Sequence, residues 1–294
     1  SGMYTANSMN CLTEAIGMAL RGNGTIPAPY SARLRLAKQA GMQVMEVLKK
    51  NIRPRDIMTK EAFMNALTMD MALGCSTNSM LHLPAIAHEA GVELNVDIAN
   101  EISSRTPNLC HLAPAGPTYM EDLNEAGGIY AVMKEISKKG LLNLDCMTVT
   151  GKTLGENLED LQKDNWFDRN LGYLANYGLT RDQVIFPVEK AHEKGSVAIL
   201  KGNIAPDGSV VKYAACAEDQ REVVNAKARV FNSEDDAYDA VAKGKINPNE
   251  VIIVRYEGPR GCGMPEMLMT TEAIVCDERI NGSVALITDG RFSG

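Results

Sequence analysis

Residues Tyr256-Glu257-Gly258-Pro259-Arg260-Gly261-Cys262-Gly263-Met264-Pro265-Glu266-Met267 join three glycines and a late carboxylate in a turn that leaves an apolar run. Glycine lets a backbone come close to a ligand, and the free N–H groups of a helix start attract an anion. Pro265 suits the first position of a following helix. Glu266 would then stand where a metal ion could bridge its carboxylate and an anionic substrate. An ordinary turn, with Glu266 favourably placed at a positive helix end, accounts for the same pattern.

A second segment, Thr288-Asp289-Gly290-Arg291-Phe292-Ser293-Gly294, follows the apolar run Ser283 to Ile287 and sets Ser293 among small or flexible residues. A serine hydroxyl acts as a base only as an alkoxide, which requires a nearby cation or dense hydrogen bonding. Ser293 lies 27 residues after Glu266, a spacing that lets the chain return through a strand to one site. Without a cation Ser293 is a turn residue, and no companion histidine motif supports a Ser-His-Asp hydrolase.

A third candidate is Ser76-Thr77-Asn78, where hydroxyls and backbone amides at a helix entry can hold a carboxylate, with His82 about one turn onward. N-capping beside a helical histidine is the plainer explanation. His88, His111 and His192 have no metal-like spacing and read as structural or exposed. Asp70, between Met69 and Met71, reads as buried without a nameable partner.

These segments need elements to position them. Apolar spacing predicts helices over Ala6 to Leu20, stopped at Gly22-Asn23-Gly24, and over Ser31 to Lys50, through Leu34, Ala37, Ala40, Val44, Met45 and Leu48. Further helices are predicted over Lys60 to Leu73, over Ser76 to Glu89, and over Glu121 to Lys138 across Gly127-Gly128. The pairs Met42/Met45 and Met69/Met71 sit in these patterns and read as core filling. After about Val184 the texture changes to short β-branched or apolar runs at Ser196 to Leu200, Val210 to Tyr213, Ala228 to Phe231, Val251 to Tyr256 and Ser283 to Thr288. The expected domains are therefore 1–183, helix-rich, and 184–294, strand-rich, divided after the polar stretch that carries the lone Trp166.

The 294 residues, 45% hydrophobic, suffice for more than one core. A net charge of −7 with 5% aromatics leaves no basic stripe or stacking platform for nucleic acid. No apolar run approaches the roughly 20 residues that cross a bilayer, and Ser1-Gly2-Met3-Tyr4 carries no basic or signal core. A cytoplasmic location is the expectation. The seven cysteines are odd in number and lack a C-x-x-C pair, so a disulfide framework or self-contained zinc site is not expected.

The opening Ser1-Gly2-Met3-Tyr4-Thr5-Ala6-Asn7-Ser8-Met9-Asn10-Cys11-Leu12-Thr13-Glu14-Ala15 resembles the signature of the dihydroxy-acid dehydratase family. Further segments agree in order along essentially the whole chain: Gly22 to Thr25, Gly74 to Asn78, Glu121-Asp122 with Gly127-Gly128, Gly202 to Gly208, the Glu266 loop, and Asp289 to Gly294. Sugar-acid and phosphogluconate dehydratases share the architecture, but the Met3-to-Met9 form is closer to the branched-chain amino-acid enzyme. The resemblance implies an iron–sulfur cluster and magnesium as cofactors, Glu266 as a magnesium ligand, and Ser293 as the base that removes the C2 proton of a 2,3-dihydroxy acid. Such an enzyme eliminates water and yields a 2-oxo acid.

The resemblance also sets limits. The family's cluster cysteines, its early acidic magnesium ligands and a modified lysine lie before Ser1, and the family chain continues past Gly294. None of the seven cysteines matches a cluster ligand. Both domains are expected to be incomplete, an α/β first domain and a small β-barrel-like second one with the active site in the cleft between them, and the chain alone is expected to bind neither cofactor tightly. The implied partners are a small dihydroxy acid and further copies of the chain, as a homodimer or higher homo-oligomer, with open strand edges favouring association. The rival readings are a sugar-acid dehydratase and a non-catalytic fragment that binds small acids.

Overall fold

The computed structural model describes residues 1–216 and 225–292. They fall into two compact α/β units that part at residue 216, each with its own core.

The first unit, which also holds the short helices α3 (Pro54–Ile57), α9 (Leu154–Lys163), α10 (Leu171–Asn176) and α11 (Arg181–Val184), is built around α4 (Lys60–Leu73). Thr59 caps it by accepting from the Ala62 N–H at 3.3 Å, and Gly74, left-handed at φ 71°, ends it. Phe63, Ala66, Met69, Met71 and Leu73 are fully or almost fully buried. A helix apolar on every side belongs at a centre, and α1 (Thr5–Ile16), α5 (Ser79–Ala90), α6 (Ile98–Arg105) and α8 (Gly128–Ser137) pack on it. Its polar Asn65 is satisfied by Asn143, accepting from that residue's N–H at 2.7 Å and donating to its carbonyl at 3.0 Å.

Three expectations for this unit change. The first helix stops at Gly17, φ 93°, before the Gly22-Asn23-Gly24 turn. The helix expected over Glu121 to Lys138 is two, α7 (Met120–Glu125) and α8, because Gly127 and Gly128 take φ of 112° and 62°. A Cβ on Gly128 would stand 2.8 Å from the Thr25 hydroxyl, so glycine is required at that break. Helix α2 (Ser31–Lys49) forms as expected but buries only Leu36, leaving Met42 and Met45 55% and 52% exposed rather than in a core. Met69 and Met71 do fill the core.

Of the strand runs, β1 (Ala198–Leu200) and β2 (Ser209–Val211) pair antiparallel, Ile199 opposite Val210. They belong to the helical unit because α6 holds them. Asn100 both donates to the Ile199 carbonyl and accepts from its N–H at 2.8 Å, and the Ser103 hydroxyl donates to the Val197 carbonyl at 2.8 Å.

The second unit holds β3 (Lys227–Phe231), β4 (Glu250–Val254) and β5 (Ala285–Thr288) in one parallel sheet of that order, with Arg229 opposite Ile252 and Ile252 opposite Leu286. Parallel neighbours need crossovers, and α12 (Glu234–Ala242) and α13 (Leu268–Cys276) supply them. Ala237, Val241, Ile252, Val254, Met267 and Ile274 form the core beneath. Among the described residues the sheet stays open, three strands with helices on its packed face, and does not close into a barrel. The helix after the glycine-rich turn starts at Leu268, so Pro265 lies in the loop ahead of it. No described helix is long and apolar enough to cross a membrane.

Candidate functional site

Because β3, β4 and β5 are parallel, the loops leaving their carboxyl ends emerge on one rim. Asp289, just past β5, accepts from the N–H groups of Tyr256 and Glu257 just past β4, both at 3.0 Å. Tyr256 sits at φ 71°, in the left-handed region, held there by this carboxylate. Glu257 is buried, and its Oε1 accepts at 2.7 Å from the Glu234 N–H, the first residue of α12. Its other oxygen accepts from the Cys262 thiol at 2.5 Å, and that carboxylate pushes the thiol up to about 11. The turn between them depends on Gly261, where a Cβ would lie 2.0 Å from the Tyr256 carbonyl oxygen.

Glu266 lies further along the same loop, in a single β-bridge with Arg291. The Arg291 guanidinium donates from Nη1 to Glu266 Oε1 at 2.8 Å and from Nε to the Met264 carbonyl at 2.7 Å. The Met267 N–H donates back to the Arg291 carbonyl at 3.0 Å. The structure therefore brings Glu266 to Arg291, two residues ahead of Ser293; Ser293 itself lies outside the described residues. Glu257, Asp289 and Arg291 all stand in the two segments singled out by sequence, but only the strand order shows that they meet.

One carboxylate paired to an arginine is too little for a magnesium ion, which takes several oxygen ligands, or for a cluster, which takes cysteine thiolates. Among the described residues no three His, Cys, Asp or Glu side chains gather where a metal could sit. The described residues by themselves do not fit either group.

In the first unit the structure ties the Ser76-Thr77-Asn78 turn to the start of α1. The Ser76 N–H donates to the Ser8 hydroxyl at 2.9 Å, the Asn78 amide donates to Thr5 Oγ1 at 2.6 Å, and the Thr5 and Ser76 hydroxyls lie 3.1 Å apart. Ser76 and Asn78 are buried and Thr77 is half-buried. Near this turn Asp70 is fully buried, and neither carboxylate oxygen has a hydrogen-bond partner among the described residues. The neighbouring Ser79 hydroxyl donates instead to the Ser76 carbonyl at 2.7 Å. Burial raises the Asp70 carboxyl to about 7, against the smaller opposing pulls of Ser79 and Lys212. Burial likewise lowers the Lys212 ammonium. Glu14, also buried, accepts from the Gly24 and Gly22 N–H groups at 2.5 and 3.2 Å, and burial raises it to about 7 as well. His111 and His192 stack with centroids 4.6 Å apart.

The Asp289 clamp gives a direct expectation. Asp289→Ala leaves the Tyr256 and Glu257 amides without their acceptor, and a lost hydrogen bond to a charged group is worth about 1.5–3 kcal/mol. Those two amides are expected to exchange with deuterium at least about tenfold faster, with Asp289→Asn intermediate because it keeps one acceptor. Unchanged exchange at both would show that the carboxylate does not hold the turn.

Comparison with known proteins finds two successive matches. Residues 1–157 match the model described as dihydroxy-acid/6-phosphogluconate dehydratase N-terminal, and residues 183–294 match its C-terminal counterpart. The chain is 62% identical along its whole length to proteins named dihydroxy-acid dehydratase from Lachnoclostridium phytofermentans and Agathobacter rectalis. It is 55% identical to one from Ruminiclostridium cellulolyticum. The chain spans half the length of each of these relatives.

Proposed function

Since the chain belongs to the dihydroxy-acid/6-phosphogluconate dehydratase family, we propose that the protein carrying it dehydrates 2,3-dihydroxy carboxylic acids to 2-oxo acids in the making of branched-chain amino acids. The relatives compared, at 55–62% identity, bear the dihydroxy-acid name, which favours a short branched acid over a sugar acid. The observation that carries the reading is the rim of the second unit, where the loop holding Glu266 is clamped to the segment that leads into Ser293.

In this reading Ser293 takes the proton from C2 of the acid. The released electron pair forms the C2–C3 double bond, the C3 hydroxyl leaves and takes up a proton, in balance the one that Ser293 removed, to depart as water, and the resulting enol tautomerises to the 2-oxo acid. Glu266 would be the carboxylate this chain contributes to a magnesium ion, which would supply positive charge for the substrate oxygens, and Arg291 holds that carboxylate at the rim. An iron–sulfur cluster would supply a Lewis acid for the leaving hydroxyl, and no cysteine of this chain is assigned to it. The Ser76-Thr77-Asn78 turn of the first unit is proposed, separately, to hold a carboxylate, with Thr77 as its most accessible member. The same reading takes the enzyme to work in the cytoplasm as a homo-oligomer.

The test is turnover by the whole protein, purified without oxygen, of a branched 2,3-dihydroxy acid, an aldonate and 6-phosphogluconate, followed by 2-oxo acid release. The branched acid is expected to give the highest kcat/KM. A higher kcat/KM on the aldonate or phosphogluconate would move the assignment to sugar acids, and no turnover of any would sink it. This chain alone, after reconstitution, is expected to hold far less than one iron–sulfur cluster or magnesium ion per polypeptide by metal analysis.

A further inference from the structure

The connector from Phe186 to Ser196 leads out of the helical body toward β1 and is fastened to the stretch 108–112. The Phe186 N–H donates to the Leu109 carbonyl at 2.8 Å, and the Asn108 N–H donates to the His192 carbonyl at 3.0 Å. The same two connector residues hold the His111 ring. It stacks on His192 with centroids 4.6 Å apart and planes 13° from parallel, and crosses the Phe186 ring at 78° with centroids 5.6 Å apart. His111 lies in the part of the chain that matches the N-terminal family model and His192 in the part that matches the C-terminal one, so their contact joins the two. We infer that the His111–His192 stack is an acid-released latch: neutral, it holds the connector to the helical body, and protonation of its rings frees the connector. The latch is independent of the dehydration reading.

Two neutral imidazoles stack, whereas two imidazolium rings at the same spacing repel, so the pair takes up its protons in separate steps. His111 adds a second cost. Its Nε2 is buried without a hydrogen-bond partner among the described residues. An imidazolium carries a proton on both nitrogens, so acid places a donor where no acceptor stands. Burial, and then His192, lower His111 below its ordinary 6.5. A group lowered in the folded state contributes its stability in full above the unfolded value and loses it as pH falls from there toward the folded one. The latch therefore holds at neutral pH and weakens below about 6.5.

The surroundings offer the charged rings no counter-ion. A small cavity beside His111 is lined by Gly74, Asn108, Cys110 and Lys212, and among the described residues that line it none is acidic, while Lys212 is a cation. From the α4 side Asp70 and Cys75 act on Lys212 and not on His111. On the connector Glu189, Lys190, Glu193 and Lys194 are exposed, where solvent screens them. Glu135 of α8 is engaged elsewhere, accepting from the Val188 N–H at 3.1 Å and pairing with Lys138 at 2.7 Å.

The test is hydrogen exchange of the whole protein at about pH 7.5 and about pH 5, read by mass spectrometry on peptides covering 108–112 and 186–192. Rates are expressed as protection factors, so that the pH dependence of intrinsic exchange cancels. Asp70 gains its proton in the same window and strengthens the fold, which makes local exchange, not global stability, the measure. In the parent both peptides are expected to lose at least about tenfold in protection at the lower pH, the equivalent of one pKa unit, while α4 stays protected. His111→Phe keeps an aromatic ring against Phe186 and His192 and removes the buried titration, so its loss should shrink to less than about twofold. His192→Phe, at an exposed position, keeps a stacked ring and removes the second charge, and its loss should fall between the two. A parent that keeps its protection in both peptides would overturn the latch, as would a loss shared equally by α4. A His192→Phe loss equal to the parent's would overturn the stacked pair as its cause, and that comparison decides even if His111→Phe does not fold.

Discussion

Ser293→Ala in the whole protein is expected to lower kcat for dehydration by about 10²–10⁴-fold, the usual contribution of a positioned general base. KM should stay within a few-fold, because the hydroxyl acts on the C2 proton in the transition state and contributes little to ground-state binding. Solvent exchange separates this role from a merely structural one. If Ser293 removes the C2 proton, the alanine variant should also lose exchange of C2 deuterium from labelled substrate. Glu266→Gln should lower kcat too, and should in addition weaken magnesium binding measured by titration, which Ser293→Ala should leave unchanged. A Ser293→Ala protein with near-normal kcat would remove the serine from the mechanism while leaving the family assignment untouched.

The second large effect concerns Asp70. Its folded-state carboxyl is raised from 3.8 to about 7 by burial. A group whose folded pKa lies above its unfolded value contributes stability that is complete below the unfolded value and is lost as pH rises through the folded one. Asp70 therefore weakens the first unit progressively from about pH 4 to pH 7, and above that the loss is constant. Asp70→Asn keeps the shape and removes the titration, but leaves an amide to be satisfied in a dry site, at a cost of about 1–3 kcal/mol. Relative to the parent, the variant is thus expected to gain about 2–3 kcal/mol between pH 5 and pH 8, and to go from the less stable protein to the equal or better one. Denaturant titrations at the two pH values, followed through the chain's one tryptophan, Trp166, in this unit, give the comparison directly. Parallel stability curves for the two proteins would mean that the carboxyl finds compensation in the folded state. Glu14, raised to about 7 in the same way, remains in both proteins and cancels from the difference.

How much of this was readable in the sequence depends on whether the cause is local. The strands near 198, 209, 227, 250 and 285 all stand where β-branched runs are bounded by turn residues, and α4 starts and ends where Thr59 and Gly74 dictate. Helix α12 was not read from the sequence because its buried side is made of Ala237, Ala240 and Val241, small residues behind three acids that carry little periodic signal. Met42 and Met45 have the spacing of core residues, and spacing says which side is apolar without saying what covers it. At the site, Glu266 and the segment from Asp289 were visible as motifs. Glu257, Asp289 and Arg291 owe their roles to contacts across 23 to 33 residues, which arise from a parallel strand order that no local window contains.

The chain of contacts at the sheet rim runs from Asp289 to the Glu257 amide, and from the Glu257 carboxylate to the first turn of α12. Three separate stretches of polypeptide are thereby fastened in series. Anyone redesigning one of them to accept a bulkier or more hydroxylated acid inherits the other two, and laboratory evolution toward a new substrate should progress by paired or triple replacements, single changes stalling unless the fastening residues are left alone.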